Sequence, residues 1–300
     1  KDDGFTHPRL LCTCKGFAEP IASVALSNDG SLAAAVASDR TLRVFTGMQS
    51  AGIAPLPHPL LANVPLDSAV SVSLSSNGRN VIIATEESRR LMAYSVTPPN
   101  NQKIKVGLSL KREFPKKDSA HTSRIASVLL APNSKYIVTA GAESDTNLKL
   151  WSLTGDLICS ADNKQLVQHG ATVSADSRFI ALAADSARPG RNVAPAHGQV
   201  SVYEVGYDVK GSAYRLTLAA CIGGHTRGIP AACFAQPRGG ARAADELSVH
   251  LALASQDGEW SVWRLDATKT KDRKAQGVEP KEHARAAAAA ALQLVALSPL

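Results

Sequence analysis

The chain has 300 residues, of which 44% are hydrophobic and 20% are charged, a balance typical of a soluble globular protein. No run of about 18 uncharged apolar residues occurs, which argues against a membrane-spanning helix in this sequence. The formal net charge of +7 is spread along the chain, and the five cysteines lack the spacing of a disulfide framework or a zinc site. The sequence therefore predicts a reducing compartment, no metal and no cofactor.

Two markers recur in the same order along the chain. The first is an apolar strand that runs into a polar turn, at residues 24–31, 72–79, 128–135 and 171–178. The second is an alternating strand that closes on an aromatic side chain, and these aromatics are Phe45, Tyr94, Trp151, Tyr203 and Trp263. Period-two alternation bounded by Asn, Asp, Gly and Ser is typical of antiparallel hairpins. The sequence therefore predicts an all-β protein built from five copies of one unit.

The fifth copy is the most complete. Residues 251–266, LALASQDGEWSVWRLD, place two strands around an Asp-Gly turn and end on Trp-x-x-Asp, with Gly224 and His225 upstream. This pattern resembles the WD40 repeat. The resemblance implies a β-propeller, in which four-stranded sheets surround a central channel, and a non-catalytic scaffold that binds partners. The closing aromatics lie about 50 to 60 residues apart, so each copy is expected to carry an insertion relative to repeats of about 40–45 residues.

Three aspartates, Asp39, Asp145 and Asp257, each lie six residues before the closing aromatic of their copy. A carboxylate there can accept backbone N–H groups in a tight turn, and the WD40 resemblance implies that it also pairs with an upstream histidine. We expect two such networks, one of His121, Asp145 and Trp151 and one of His225, Ser255, Asp257 and Trp263. The same residue types would suit a hydrolase, but no serine stands in a Gly-x-Ser-x-Gly elbow. We therefore predict a structural role, no catalytic residues and no enzymatic activity.

The remaining copies depart from this pattern. The first has Gly16-Phe17 in place of Gly-His, the second has Glu86, Glu87 and Ser88 near the Asp position, and the fourth has His197 there. These copies keep the apolar pattern and lose the polar network, so we expect them to be less rigid.

We predict a single, incomplete propeller. Its five blades are expected at about 16–47, 66–96, 121–153, 166–205 and 224–266, followed by a charged loop at 267–285. Residues 292–300, LQLVALSPL, look like a first strand that reaches its turn, since 295–300 (VALSPL) resemble 24–29 (VALSND), so 286–300 are predicted to begin a sixth blade. Five blades and one strand cannot close a ring of the usual six to eight. The sequence is therefore expected to be a fragment of a propeller of seven blades; the alternative is that a partner or a missing N-terminal segment completes the ring.

Basic loops are the candidates for partner binding. Residues 186–198 and 236–246 are predicted insertions on opposite faces of the propeller, and the first would form a cationic flap. The candidate contact residues are Arg188, Arg191, Arg227, Lys116 and Lys117. A protein partner is the leading hypothesis, and RNA or a ribosome bound through these basic loops is the alternative. For each loop, a solvated segment without a ligand stays open as well.

Short segments along nearly the whole chain, among them 151–160 (WSLTGDLICS) and 200–211 (VSVYEVGYDVKG), resemble one WD40 protein in particular. That resemblance implies a scaffold at the cytosolic face of the endoplasmic reticulum (ER), which acts in the unfolded protein response and in translation control. It also implies an ER stress kinase among the protein partners. The sequence on its own predicts a soluble cytoplasmic protein.

Overall fold

The computed structural model describes residues 10, 12–48, 59–65, 67–97, 107–116, 118–164, 167–185, 198–208, 213–235, 248–266 and 292–294. In this part of the chain, twenty strands form five four-stranded antiparallel sheets. Each sheet is made of four strands that are consecutive in the chain. The prediction of an all-β fold is confirmed.

Each sheet is one blade. Blade 1 contains β1 (Ile21–Leu26), β2 (Leu32–Ala37), β3 (Thr41–Thr46) and β4 (Leu60–Asn63). Blade 2 contains β5 (Ala69–Leu74), β6 (Asn80–Thr85), β7 (Leu91–Thr97) and β8 (Gly107–Phe114). Blade 3 contains β9 (Ile125–Leu130), β10 (Ile137–Gly141), β11 (Asn147–Trp151) and β12 (Leu157–Asp162). Blade 4 contains β13 (Val167–Val173), β14 (Phe179–Asp185), β15 (Gly198–Asp208) and β16 (Ala213–His225). Blade 5 contains β17 (Ala231–Phe234), β18 (Ser248–Ala254), β19 (Trp260–Asp266) and β20 (Leu292–Leu294).

The polar turn found in the sequence joins the first two strands of blades 1 to 4. In blade 1 the Ser27 hydroxyl donates to Asp29, and the Gly30 N–H closes the turn on the Ser27 carbonyl at 2.8 Å. The residue three positions after the start of each turn has positive φ, and these residues are Gly30, Gly78, Ser134 and Ser177. Short polar side chains and glycine tolerate that left-handed conformation, which explains why Asn, Asp, Gly and Ser follow each apolar strand.

The blades stack in chain order through their first strands. β1 lies beside β5, β5 beside β9, β9 beside β13 and β13 beside β17. A serine at one repeated position of the inner strand accepts an N–H from the next blade. The three bonds are Val72 N–H to Ser23 at 3.3 Å, Val128 N–H to Ser71 at 3.1 Å and Ala171 N–H to Ser127 at 3.1 Å. These bonds hold the first strand of each blade at a fixed position along the first strand of the next blade.

Apolar side chains fill the space between neighbouring blades. One cluster joins blades 1 and 2, a second joins blades 2 and 3, a third joins blades 3 and 4, and a fourth joins blades 4 and 5. The closing aromatics Tyr94, Trp151 and Tyr203 are buried in these clusters. Burial of each large apolar side chain stabilises the fold by roughly 1.5–3 kcal/mol, so the inter-blade clusters hold the stack together.

The two end blades each leave one apolar face open. Val24 and Leu26 of β1 are 69% and 61% exposed, whereas Val72 and Leu74 at the same positions of β5 are 5% and 8% exposed. Trp260 of β19 is 63% exposed, whereas its counterpart Leu91 in β7 is fully buried. Among the described residues, therefore, blades 1 and 5 lack the neighbour that covers the inner blades. The fold is an incomplete β-propeller.

The boundaries differ from those predicted in one systematic way. Each predicted blade ends at its third strand, and the structure adds a fourth, such as β4 beyond the predicted range 16–47. Residues 292–294 were predicted to open a sixth blade; they pair instead with β19, with Leu294 opposite Trp263, as the fourth strand of blade 5. A short apolar strand carries no signal of which neighbour it will pair with. The rest of 286–300, and the loop at 267–285, lie outside the described residues.

Candidate functional site

A chain of four polar side chains crosses the interior of blade 3. His121 comes from the loop before β9, Thr139 from β10, Asp145 from the turn between β10 and β11, and Trp151 from the end of β11. His121 Nδ1 lies 3.1 Å from Asp145 Oδ2, and His121 Nε2 lies 2.7 Å from Thr139 Oγ1. The Trp151 indole N–H donates to the same Thr139 oxygen at 2.9 Å. The structure thus brings the predicted His121, Asp145 and Trp151 together through a threonine that the sequence analysis missed.

The protonation of this network follows from its geometry. Burial works to raise the pKa of Asp145, but hydrogen bonds from His121, Asn147 and Thr122 hold that pKa far below its usual range. Burial lowers the pKa of His121. Because an ionised carboxylate can only accept, Nδ1 of a neutral His121 donates to Asp145 and Nε2 accepts from the Thr139 hydroxyl. Every donor in this chain of contacts then has an acceptor.

The blade 3 network is closed to substrates. The side chains of His121 and Asp145 are both 0% exposed, and Thr139 is fully buried as well. Asp145 also accepts the backbone N–H of Thr122 at 2.6 Å and that of Asn147 at 3.0 Å. The aspartate therefore binds the loop before β9 to the turn between β10 and β11, which is a structural task.

Blade 5 holds a looser version of the network. His225 Nε2 lies 3.1 Å from Ser261 Oγ, and the Trp263 indole N–H donates to the same oxygen at 2.9 Å. Asp257 accepts the Thr226 N–H at 2.9 Å and the Glu259 N–H at 3.0 Å. His225 Nδ1 lies 3.4 Å from Asp257 Oδ2, and this buried nitrogen has no hydrogen-bond partner among the described residues.

In the predicted network of blade 5, Ser255 contacts Asp257 and not the histidine. Its hydroxyl donates to the carbonyls of Arg227 and Gly228 and accepts the Asp257 N–H, so it braces the turn and does not reach the histidine. The position that Thr139 occupies in blade 3 is held in blade 5 by Leu253, and Ser261 lies directly opposite Leu253 on β19. The hydroxyl that contacts the histidine therefore belongs to the second strand in blade 3 (Thr139 of β10) and to the third strand in blade 5 (Ser261 of β19). A serine two residues before the closing tryptophan is the sequence signal that could have found it.

Blade 1 keeps only the aspartate. Asp39 accepts the Ala18 N–H at 3.2 Å and the Thr41 N–H at 3.0 Å, so it joins the loop before β1 to the turn between β2 and β3. Phe17 stands where the histidine would be expected, and the Arg43 guanidinium lies 4.8 Å from the centre of its ring. A cation–π contact thus occupies the place of the polar network.

Blade 2 reverses the direction of the bond between loop and turn. The carboxylate belongs to Asp67, in the loop before β5, and it accepts the N–H groups of Glu87 at 3.1 Å and Ser88 at 2.9 Å in the turn between β6 and β7. The Ser88 hydroxyl donates to it at 2.6 Å. The repeat pattern places the acid in the turn, near residues 86–88, and therefore does not point to Asp67.

Blade 4 uses a third device. The Tyr203 hydroxyl donates to Asn163 Oδ1 at 2.9 Å in a buried site, and burial raises the pKa of Tyr203 to about 12. The tyrosine therefore stays protonated and bonded at neutral pH. His197, the residue expected at the Asp position of this blade, lies outside the described residues.

Comparison with known proteins agrees with this architecture. The family model for the WD domain, G-beta repeat, matches residues 8–46 and 112–152, which contain the first three strands of blades 1 and 3. The chain therefore contains WD40 repeats, in blades 1 and 3. The matched segments include Asp39 and the complete network of Asp145, whereas the fifth copy, which looked most complete in the sequence, lies outside them.

Two relatives extend the similarity over most of the chain. Transducin beta-like protein 2 of mouse is 26% identical over 269 residues, covering 90% of this chain and 54% of that protein. Transducin beta-like protein 2 of human is 27% identical over 295 residues, covering 98% of this chain and 59% of that protein. The chain thus spans a little over half the length of these two relatives. Within the described residues, no helix is long and apolar enough to cross a membrane.

One face of the WD40 stack is formed by the loops that enter each blade and by the turns between second and third strands; we call it the loop face. Lys116 precedes β9 and Arg227 precedes β17, and both side chains are exposed there. Lys117, Arg188 and Arg191 lie outside the described residues. Exposed acids are interspersed with the cations on this face, and they include Glu19, Glu86, Glu87, Asp118, Glu143 and Glu259.

The opposite face carries a cleft of about 730 Å³ between blades 3 and 4. Tyr207 and Tyr214, near the end of the long β15–β16 hairpin, form one wall, with ring centres 4.8 Å apart. Lys135 and Arg178 lie at its edge. No sequence motif marks this cleft, because its walls come from strands and turns of two different blades.

Proposed function

We propose that this chain is a non-catalytic WD40 scaffold that binds a protein partner on its loop face. The observation that carries the proposal is the full burial of the His121–Asp145 pair. The residues that could have performed chemistry bind the chain's own loops instead. What remains for function is the exposed surface that those loops present.

The charge of the loop face favours a protein over RNA as the partner. A nucleic-acid surface is dominated by cations, since it must neutralise successive phosphates. On the loop face, Lys116 is close in sequence to Asp118. Arg227 lies in the loop, and Glu259 in the turn, that Asp257 joins in blade 5. A mixed surface of this kind selects a partner by matching charges of both signs.

By resemblance to transducin beta-like protein 2, we propose that this scaffold acts at the cytosolic face of the ER, in the unfolded protein response and translation control, with an ER stress kinase among its partners. Support for this context comes from similarity of 26–27% identity over most of the chain. The loop face would then hold the kinase or a protein bound to it.

The test is affinity capture of the full-length protein from cells with and without ER stress, followed by mass spectrometry. Lys116→Glu combined with Arg227→Glu should reduce recovery of the main partner at least five-fold. Lys135→Glu, at the cleft on the opposite face, is the matched control and should recover it fully. Loss of the partner with the control variant alone would move the binding surface to the cleft, and a stress-independent set of partners would overturn the ER context.

RNA remains an outcome of the same experiment. The scaffold binds nucleic acid if nuclease treatment removes the captured partners, and if Lys116→Glu combined with Arg227→Glu weakens a salt-dependent binding of RNA. The proposal of a protein partner then fails.

A further inference from the structure

In the turn between second and third strands, the residue two positions after the aspartate sets blade 5 apart from blades 1 and 3. In blade 1 this residue is Thr41, whose hydroxyl donates to Asp39. In blade 3 it is Asn147, whose side-chain amide donates to Asp145 at 2.9 Å. In blade 5 it is Glu259, which brings a second carboxylate to the turn. Glu259 supplies its backbone N–H to Asp257, but its ionised side chain can only accept.

The histidine of blade 5 lacks the hydrogen bond to the aspartate that the histidine of blade 3 makes. His225 is only 6% exposed, yet its Nδ1 has no hydrogen-bond partner among the described residues. A buried polar atom without a partner destabilises the folded protein. The nitrogen lies 3.4 Å from Asp257 Oδ2, and the potential ligand atoms of His225, Asp257 and Glu259 all lie within 4.8 Å of one another.

We propose that His225 Nδ1, Asp257 and Glu259 form a binding site for a divalent transition-metal ion, with zinc as the best fit. Zinc binds imidazole nitrogen and carboxylate oxygen at about 2.0–2.1 Å in a tetrahedron, whose ligand atoms are then about 3.3–3.4 Å apart. The His225–Asp257 separation is long for a hydrogen bond and matches that tetrahedral edge. Glu259 is exposed, so its side chain can rotate to complete the third vertex, and water fills the fourth.

The ligand set selects the ion. Calcium and magnesium prefer oxygen ligands alone, whereas one imidazole with two carboxylates suits zinc and its neighbours in the first transition series. A bound cation would give His225 Nδ1 a partner and would offset the repulsion between the two carboxylates. It would also join the loop before β17 to the turn between β18 and β19, which in blade 3 is done by the His121–Asp145 hydrogen bond.

The experiment is a zinc titration of the full-length, tag-free protein against a competing chelator, repeated with cobalt to record its visible absorption. The wild type should bind one zinc ion at this site, and the cobalt form should show the intense bands of tetrahedral coordination. Glu259→Gln should weaken zinc binding at least ten-fold. Because Glu259 is exposed, this variant should melt at the wild-type temperature in the absence of metal.

Two controls separate this site from other metal binding. Glu143→Gln changes the corresponding exposed turn of blade 3 and should bind zinc as the wild type does. Cys12→Ser combined with Cys14→Ser removes the two cysteines that lie closest to each other in the sequence and should also leave the affinity unchanged. The proposal is overturned if Glu259→Gln retains wild-type affinity, if the cysteine variant abolishes binding, or if the wild type binds no zinc.

Discussion

Thr139 is the residue on which the blade 3 network depends, because one oxygen accepts from Trp151 and donates to His121. Thr139→Val keeps the shape of the side chain and removes that oxygen. Two buried polar groups then lose their partners, so we expect the free energy of unfolding to fall by roughly 1–3 kcal/mol, measured by urea denaturation with tryptophan fluorescence.

Ser261 offers a matched comparison in blade 5. It makes the same two contacts with His225 and Trp263 in a site that is only partly buried. Ser261→Ala should therefore cost less than Thr139→Val. Equal losses in the two variants would show that burial does not set the strength of the network.

The His121 titration predicts how stability depends on pH. The imidazole has an ordinary pKa of 6.5 in the unfolded chain, and burial lowers it in the folded protein. Between the two values the unfolded state binds more protons, so stability is full above about pH 6.5 and decreases as the pH falls below it. Denaturation midpoints measured from pH 7.5 to 5 should decline in the wild type.

His121→Asn supplies the control for that pH series. The variant should be less stable at every pH, and its midpoints should change less between pH 7 and 5 than those of the wild type. A decline of the same size in both proteins would assign the pH dependence to other groups and contradict the account of His121.

At the level of residues, the sequence predicted part of each network. The spacing from Asp145 to Trp151 and the upstream His121 were enough to place three members of the blade 3 network. Thr139 and Ser261 were missed because a hydroxyl within a strand looks the same whether it faces a histidine or solvent. Only the register of paired strands decides that, and register is a property of the folded sheet.

Among the structural elements, the turn between second and third strands is the part that varies most. Blades 1, 3 and 5 place the acid in this turn, and blade 2 places Asp67 in the loop that the turn contacts. Both arrangements bind the same two segments through a carboxylate and backbone N–H groups. What the fold requires is the connection between loop and turn, and the direction of the bond is free to change.

Asp67→Ala tests whether the reversed bond stabilises blade 2. The substitution leaves the N–H groups of Glu87 and Ser88 without their acceptor, so we expect a loss of roughly 1–3 kcal/mol. Amide hydrogen exchange should increase most at residues 86–90. Glu87→Ala, which retains the backbone N–H that Asp67 binds, should leave exchange in that turn slow; fast exchange in this control would mean that the Asp67 contact is not decisive.

The number of strands in each blade shows how far pattern alone can go. Apolar alternation and the closing aromatics located the first three strands, since a polar turn or an aspartate marks each of their ends. The fourth strands, such as β4 and β20, follow long connections and carry no marker. Their place at the edge of each sheet comes from pairing with β3 or β19, which the local sequence does not encode.

In the molecule as a whole, the exposed faces of blades 1 and 5 predict self-association. Val24, Leu26 and Trp260 present apolar surface that the inner blades bury, and exposed sheet faces of this kind attract one another. The 300-residue chain should form larger species as its concentration rises, measured by light scattering. Leu26→Lys combined with Trp260→Lys should keep it monomeric, whereas Leu110→Lys, on the fourth strand of blade 2, should not.

The residues that stabilise the stack of blades are different from the residues of the loop face, which we propose binds a partner. The network of His121, Thr139, Asp145 and Trp151 is buried and bound to its own loops, whereas Lys116 and Arg227 are exposed on the loop face. Stability and partner binding should therefore respond to different substitutions.

The most direct test of this distinction between stability and partner binding is whether Thr139→Val retains the captured partner. The capture is made at a temperature well below the melting transition of the variant. We predict that the variant melts at a lower temperature than the wild type and still retains the captured partner in full. Loss of the partner from a variant that is folded by circular dichroism would contradict it, because the network would then belong to the binding site.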